Sequence, residues 1–365
     1  MAFSADIELK FSRFSFEHRY LTPFAETYFM NVPKHKPKGV LYQKYHNTVT
    51  KLRKNDLWSY PKTSIKDSTA SSSIANFNQP ISPPLKIYDQ TFVTTKRWLQ
   101  FNIEPFEDVL MKWRETVEYR RTFLTQYNTK INDILEQWPM YKQSFGHNLI
   151  DIDFEYIYSG KENLLFEKWP LLIPKLLTLM HTNIKDSNSK ELLKKLCNQN
   201  SEIELDSKNT VVFALLNSLI IPTSKSYEID KVTNSKRIVK TSIADARNSF
   251  LLLCTNISNL YTQIQNKVDS YYEKKQTLQP LICIIGDEYI DSKEFFVYYF
   301  NTYYKISNIV KAVDLCFKIF HVFNLKYPIE SELVWTFLQN YIYDIHTEFD
   351  VKSSSIISLM SDLSN

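Results

Sequence analysis

Apolar side chains recur every three or four residues over much of this chain, which is the spacing of one helix face. The clearest case follows Pro105, where Val109, Trp113 and Val117 fall on one face. Pro105 suits the first turn of a helix, whose leading N–H groups have no intrahelical partner. Similar spacing predicts further helices at about 125–138, 150–158, 162–180, 188–200, 211–221 and 243–272.

The only good strand pattern lies near the C-terminus. A β-branched run at 281–285 ends at Gly286, and a second run at 295–300 turns through Asn301 and Thr302 into residues 303–306. Two more helical faces follow, at 306–320 and 334–345. Residues 225–240 look like a polar excursion. Together these patterns predict a mainly α, multi-helix domain with a small C-terminal β-hairpin.

One segment near the N-terminus is poor in large aliphatic residues and rich in serine and proline. It holds the serines at 71–73 together with Pro61, Pro80, Pro83 and Pro84, a composition typical of linkers. We therefore predict a basic, aromatic appendage at 1–55, a linker at 56–84, a main helical domain at 85–350 and a tail at 351–365.

Composition narrows the class of protein. Hydrophobic residues make up 44% of the chain and aromatic residues 15%, which is enough for a packed core. The chain has only 4 glycines in 365 residues, whereas nucleotide-binding α/β folds use several glycines to bring the backbone close to phosphates. No Walker A loop, nucleophile elbow or dinucleotide fingerprint occurs. We expect no cofactor, and a binding protein rather than an enzyme.

Cysteine and histidine spacing gives no metal or redox motif. We expect the four cysteines to be buried, reduced thiols in a reducing compartment, and His321 to be a structural histidine with satisfied hydrogen bonds. The N-terminus has no apolar signal segment, and no apolar run is long enough to span a bilayer. These features predict a cytoplasmic or nuclear protein without a membrane partner. The cysteines are Cys197, Cys254, Cys283 and Cys316.

Three acidic residues follow the predicted strand at 281–285, namely Asp287, Glu288 and Asp291. Carboxylates at a strand end can hold Mg²⁺ or act as acid and base. Aspartate is also a common turn residue, and a solvated turn is the interpretation that we prefer.

Arg120 and Arg121 stand next to each other in a predicted helix. Adjacent arginines can clamp a phosphate. Pairing with Glu115 or Glu118 on an exposed face of the same helix is the commoner arrangement, and we prefer it here.

The appendage carries the strongest functional hint, a stretch at 34–58 in which aromatic and basic residues alternate. Aromatic rings can stack on bases while lysine and arginine contact phosphates. Because the formal net charge of the chain is only +4, a helix that packs its aromatics and solvates its lysines stays open as an alternative. The candidate nucleic-acid-binding residues are Lys36, Lys38, Tyr42, Lys44, Tyr45, Lys51, Arg53 and Lys54.

Several segments together resemble a known family. Residues 312–327 read AVDLCFKIFHVFNLKY and are followed by VWTFLQ at 334–339 and YIYDI at 341–345. Further upstream lie YHNTVTKLR at 45–53, TVEYRR at 116–121, INDI at 131–134 and PKLL at 174–177. The chain is similar in these patches to uncharacterised animal proteins labelled "sterile alpha motif domain-containing protein 3-like". It has no visible sterile alpha motif, and residues 59–77 replace the basic tract common in that family.

The resemblance implies an association with mobile elements and brings no assigned activity. We therefore expect a non-enzymatic binding or scaffold protein of mobile-element or viral origin that engages RNA or DNA through the appendage. One alternative is a protein-interaction or self-assembling module, because exposed tyrosine and tryptophan often anchor interfaces. The other is a metal-dependent phosphoryl-transfer enzyme that uses the carboxylates at 287–291.

Overall fold

A computed structural model describes residues 90–125, 131–198, 204–229, 236–274, 276–348 and 350–364. Thirteen α-helices and two small sheets lie in these ranges, so the prediction of a mainly α fold is confirmed. None of the helices described is both long enough and apolar enough to cross a membrane.

The first eight helices and their connections supply about half of the buried apolar side chains of the main core. Most of them bury one apolar stripe, as the three-to-four spacing predicts, whereas the eighth is buried on nearly all sides. A 3₁₀ turn at Pro139–Lys142 joins the fourth helix to the fifth. In chain order the helices are α1 (Gln90–Phe101), α2 (Phe106–Glu115), α3 (Val117–Leu124), α4 (Ile131–Gln137), α5 (Gly146–Ile157), α6 (Leu164–Asn183), α7 (Ser187–Asn198) and α8 (Leu205–Leu219).

The prediction of a single long helix at 243–272 is wrong. That segment forms α9 (Ile243–Phe250), then strand β3 (Leu251–Cys254), and then α10 (Ile257–Glu273). The middle residues Leu251–Cys254 pair in parallel with the next strand along the chain, so their backbone groups bond between strands. Asn256 caps α10 by accepting a hydrogen bond from the Asn259 backbone N–H at 2.8 Å. Strand pairing here overrides local helical spacing.

The C-terminal sheet has four strands in the order β3-β4-β5-β6, where β4 is Leu281–Gly286, β5 is Ser292–Tyr299 and β6 is Thr302–Ile306. The predicted hairpin is present as β5 and β6, but it belongs to this larger sheet. Its turn lies at Phe300 and Asn301, both with positive φ, one residue before the predicted turn. Glycine is required at position 286 because the Asp291 backbone passes close to it. A Cβ there would lie 2.2 Å from the Asp291 carbonyl oxygen.

The two faces of this sheet pack against different partners, since side chains alternate along a strand. Ile282 and Ile284 of β4 face the main core, which includes α8 and the later helix α11 (Ile309–Val322). Cys283 and Ile285 of β4 face a smaller core built with Leu260 of α10. Cys283 is thereby buried, as are the thiols at 254 and 316, but the expectation of burial is wrong for the exposed thiol at 197.

The excursion predicted at 225–240 contains regular structure. Strand β1 (Lys225–Ile229) pairs antiparallel with β2 (Lys236–Lys240) as a separate two-stranded sheet. The base of this hairpin is closed by a hydrogen bond between the hydroxyl groups of Ser224 and Thr241 at 2.7 Å.

The chain after α11 continues as α12 (Glu332–Phe337), which passes directly into a π-helical turn at Leu338–Ile342. The segment predicted as a tail at 351–365 contains a helix, α13 (Ser354–Ser364). Its residues Ile356, Leu359 and Leu363 are buried, and Lys175 of α6 donates a hydrogen bond to the Leu363 carbonyl oxygen at 2.7 Å. The last helix is therefore part of the folded core.

A buried arginine lies at the junction of α2, α3 and α5. Arg120 is 1% exposed, and its Nη2 lies 2.5 Å from Oδ1 of Asp153, which is 3% exposed. The guanidinium carbon stands 3.7 Å from the centre of the Trp113 ring. Trp113 Nε1 and the Tyr141 hydroxyl donate to the other oxygen of Asp153 at 3.2 Å and 2.6 Å. Pairing of Arg120 within its own helix, as preferred from the sequence, is therefore wrong.

Asp153→Asn would leave the Arg120 charge buried without its counter-ion. We expect the free energy of unfolding to fall by about 3 kcal/mol, as for other buried pairs that lose one partner. The measurement is urea unfolding of the full chain at pH 7. Asp291→Asn is the matched control, because the Asp291–Lys293 pair has side chains 52% and 60% exposed and should change stability by less than about 1 kcal/mol. Equal losses in the two variants would contradict this account.

Candidate functional site

A cleft of about 580 Å³ opens between α2, α5, the start of α6 and α11. This size is within the range of small-molecule sites, which is roughly 300–1,000 Å³. The apolar part of the cleft lining is formed by Phe106, Leu110, Ile152 and Phe166. We name it the α5–α11 cleft.

Two helices supply most of the polar lining, each from one face. Positions three and four apart on a helix point the same way. Such spacing places Asn148, Asp151 and Glu155 along α5 and Lys311, Asp314 and Lys318 along α11. Arg114 from α2 and Glu162 and Asn163 before α6 complete the polar part of the cleft.

The start of α5 is set by close backbone packing. A Cβ at Gly146 would lie 2.4 Å from the carbonyl oxygen of Tyr141, in the preceding 3₁₀ turn. This contact brings α5 tightly against the turn. From there, α5 packs along α11, with Phe154 edge-on to Phe317 at 6.0 Å between ring centres. The two helices thus hold their polar faces together at the cleft.

Lys318 lies at the floor of the cleft, with its side chain 4% exposed. Its Nζ is 2.7 Å from Asp151 Oδ1 and 2.7 Å from Asp314 Oδ2. Tyr343 donates its hydroxyl hydrogen to Asp314 Oδ1 at 2.7 Å, and the Tyr343 ring stacks on Phe317 at 3.8 Å. Both oxygens of Asp314 are therefore occupied by protein donors.

The electrostatics of this network favour a charged lysine. Burial opposes the charge of Lys318, but the carboxylates of Asp314 and Asp151 outweigh it, so the pKa of Lys318 lies above its ordinary value. Burial raises the pKa of Asp314 to about 6, although Lys318 and the Tyr343 hydroxyl act in the opposite direction. At neutral pH the ammonium group is therefore protonated and the Asp314 carboxylate is mainly ionised.

Four other charged groups in the cleft have no ion-pair partner within the described part of the chain: Arg114, Glu155, Glu162 and Lys311. Arg114 and Glu155 are exposed, whereas Glu162 and Lys311 are half-buried. The Oε2 atom of Glu162 is buried and accepts no hydrogen bond from the residues described. The cleft thus holds charges that the described residues do not neutralise.

His321 lies in a chain of hydrogen bonds next to this site. Its Nδ1 is 3.2 Å from the Tyr158 hydroxyl, and its Nε2 is 2.9 Å from the Tyr327 hydroxyl. Tyr327 donates to Gln339 Oε1 at 2.8 Å, so its oxygen accepts from Nε2–H and the Tyr158 hydroxyl donates to Nδ1. Burial, helped by the charge of Arg121, lowers the pKa of His321 to about 4. The histidine is neutral and satisfied, as expected.

The three acidic residues at 287–291 each lie beside a lysine. Glu288 pairs with Lys195 at 2.8 Å, and Asp291 pairs with Lys293 at 3.1 Å. Asp287 lies 4.0 Å from the same Lys293. Within the ranges that the structure describes, no three His, Cys, Asp or Glu side chains are grouped so as to hold a metal ion.

The candidate nucleic-acid-binding residues between Lys36 and Lys54 lie outside the described residues. The α5–α11 cleft was missed by the sequence analysis, although one signal for it exists. Asp314 and Lys318 interrupt an otherwise apolar helix at an i, i+4 spacing, and charged residues at buried helical positions must find partners.

No protein-family model, no curated protein sequence and no solved structure matches this chain. The functional conclusion therefore depends on the site itself.

His321 predicts a pH dependence of stability. Its pKa is about 4 in the folded protein and about 6.5 when unfolded. The unfolded chain therefore takes up a proton first as the pH falls, and stability that is present above pH 6.5 is lost towards pH 4, by up to about 3 kcal/mol. We expect His321→Gln to lack this component in urea unfolding between pH 7 and pH 4.

His346→Gln is the control for this experiment, because His346 is exposed beside Asp344. It should follow the wild-type pH profile. The raised pKa of Asp314 gives a slope of opposite sign between about pH 4 and pH 6, but that contribution is common to all three proteins and cancels. Parallel profiles for wild type and His321→Gln would refute the assignment.

Proposed function

We propose that this chain is a non-enzymatic binding protein that holds a small polar ligand in the α5–α11 cleft. The observation that carries the proposal is the buried Lys318, fixed between Asp151 and Asp314 at the floor of a cleft of ligand size. Burying an ion pair costs desolvation energy, and such pairs do not by themselves stabilise a fold. A preorganised polar floor is what a specific binding site needs.

The same geometry favours binding over catalysis. A nucleophilic or basic lysine needs a lowered pKa, whereas the pKa of Lys318 is raised. Asp314 has a pKa close to that of useful general acids, about 6. Both of its oxygens already accept hydrogen bonds, from Lys318 and Tyr343, and these bonds favour an ionised acceptor over an acid that donates its proton to a ligand.

The mixed lining of the cleft suits a molecule that has both an apolar and a polar part. Phe106, Leu110 and Phe166 can pack against an apolar body. The charged side chains that have no ion-pair partner among the described residues can fix its orientation. Such a division of roles is common in small-molecule sites, where a few polar groups give specificity and the apolar lining gives most of the affinity.

A probe that binds the cleft should stabilise the folded chain. At a concentration one hundred times its dissociation constant, the expected gain is about 2.7 kcal/mol. The measurement is urea unfolding with 2-phenylethylamine, 2-phenylethanol or 3-phenylpropanoate, which share one apolar body and differ in charge. We expect at least one probe to stabilise the wild-type chain.

Leu110→Trp should abolish that gain, because the larger side chain fills the cleft from α2. Met111→Trp is the matched control, since Met111 is the next residue on the same helix and is 50% exposed. It should retain the gain. If none of the three probes stabilises the wild-type chain, or if Leu110→Trp responds as the wild type does, the proposed cleft function is wrong.

Nucleic-acid binding through the N-terminal appendage is a second proposal, carried by the basic and aromatic stretch at 34–58. Lysine and arginine would contact phosphates, and Tyr42 and Tyr45 would stack on bases. The resemblance to proteins associated with mobile elements adds to this proposal. It concerns a different part of the chain from the cleft, so the two can be tested separately.

Affinity for single-stranded RNA, single-stranded DNA and duplex DNA should fall with rising salt, with a logarithmic slope of about −0.7 to −0.9 per phosphate contacted. The measurement is fluorescence anisotropy of labelled oligonucleotides across a salt series. Replacement of Lys44, Lys51, Arg53 and Lys54 by glutamate should reduce affinity at least tenfold and flatten the slope.

The control reverses the same number of charges on exposed lysines of the described part, at Lys190, Lys194, Lys274 and Lys352. It should bind more tightly than the appendage variant, although its net charge is the same. Equal weakening in the two variants would indicate a general effect of net charge. An absence of binding at low salt would remove this proposal and leave protein partners or self-association as the alternative.

A further inference from the structure

We propose that the ligand of the α5–α11 cleft is an organic cation, a primary ammonium or guanidinium group attached to an apolar body. This inference rests on the proposed binding function and adds the chemical class of the ligand. It is carried by the balance of charge in the cleft, by one buried acceptor and by the placement of the aromatic rings.

The first observation is that carboxylates outnumber basic groups in the cleft. Its lining has four acidic side chains and three basic ones. The buried base, Lys318, already lies between two carboxylates, Asp151 and Asp314, at 2.7 Å from each. The floor therefore presents a net negative charge, although it contains a lysine. A cation entering the cleft would restore neutrality, whereas an anion would increase the excess of negative charge.

The second observation is the buried, unpartnered oxygen of Glu162. Among the described residues that line the cleft, Glu162 alone has a buried side-chain oxygen or nitrogen without a hydrogen-bond partner. An ionised carboxylate only accepts hydrogen bonds, and a buried acceptor without a donor carries a desolvation cost. A cation in the cleft would supply the opposite charge that no described residue supplies to Glu162.

The third observation concerns the basic groups that an anionic ligand would need. Arg114 is exposed, so water satisfies its guanidinium, and Lys311 is only half-buried. Neither has a buried nitrogen that lacks a partner. Among the described residues that line the cleft, the buried atom without a hydrogen-bond partner therefore belongs to an acid, Glu162, and not to a base.

The aromatic residues complete the description of the ligand. Phe106 and Phe166 line the cleft together with Leu110. Aromatic faces attract cations, and apolar walls bury alkyl or aryl groups. A simple inorganic cation would leave this wall without a contact. An amine or guanidine carrying an aliphatic or aromatic group can contact both the acidic and the apolar residues of the lining.

The experiment is isothermal titration calorimetry of the full chain at low salt with the three probes of matched shape. We expect 2-phenylethylamine to bind at least tenfold more tightly than 2-phenylethanol, and 3-phenylpropanoate to bind more weakly still. This order tests the proposal on the wild-type protein, so it does not depend on how any variant folds.

Glu162→Gln should reduce the affinity for 2-phenylethylamine at least tenfold, because it removes the charge while keeping the shape of the side chain. Glu167→Gln is the matched control. Glu167 belongs to the first turn of α6, is exposed and does not line the cleft, so its variant should bind as the wild type does. An unchanged affinity in Glu162→Gln, or equal losses in both variants, would overturn the role of Glu162.

The possible failures are distinguishable. The alcohol or the carboxylate could bind more tightly than the amine and lose its binding in Leu110→Trp. That result would overturn the proposal of a cationic ligand and leave the binding function of the cleft in place. Failure of all three probes to bind would remove the binding function and this inference together.

Discussion

The packing of this protein depends on α5, a helix of twelve residues that carries paired aspartates on two sides. Asp153 points towards α3 and holds Arg120, while Asp151 points towards α11 and holds Lys318. Each buried base fixes its helix against α5, because a displaced partner would leave a charge in an apolar surrounding. The packing of the core and the shape of the cleft therefore both depend on α5.

The polar groups around α5 form two networks with different consequences. The guanidinium of Arg120 is buried among Trp113, Thr116 and Asp153, which accept its hydrogen bonds or pack against it. The ammonium of Lys318 lines an open cleft instead, next to side chains that have no ion-pair partner in the described part of the chain. The first network stabilises the junction of three helices, and the second provides the floor of a binding site.

Local sequence patterns specified much of the secondary structure. The helices around Trp113, Leu176 and Phe317 follow from apolar side chains at helical spacing, which any amphipathic helix needs in order to pack. Strands β4 to β6 follow from β-branched and aromatic runs separated by turn residues. Strand β3 does not, because its residues also fit a helix and only parallel pairing with β4 selects the extended form.

The sequence by itself determined the mainly α class, the positions of most helices and the absence of familiar catalytic motifs, because each depends on residues close together in the chain. The tertiary structure decided the partners of the charged residues. Nothing near Arg120 indicates Asp153, 33 positions away, and nothing near Lys318 indicates Asp151, 167 positions away. Such pairs form because burial makes an unpaired charge costly, and only the folded chain shows which charges are buried.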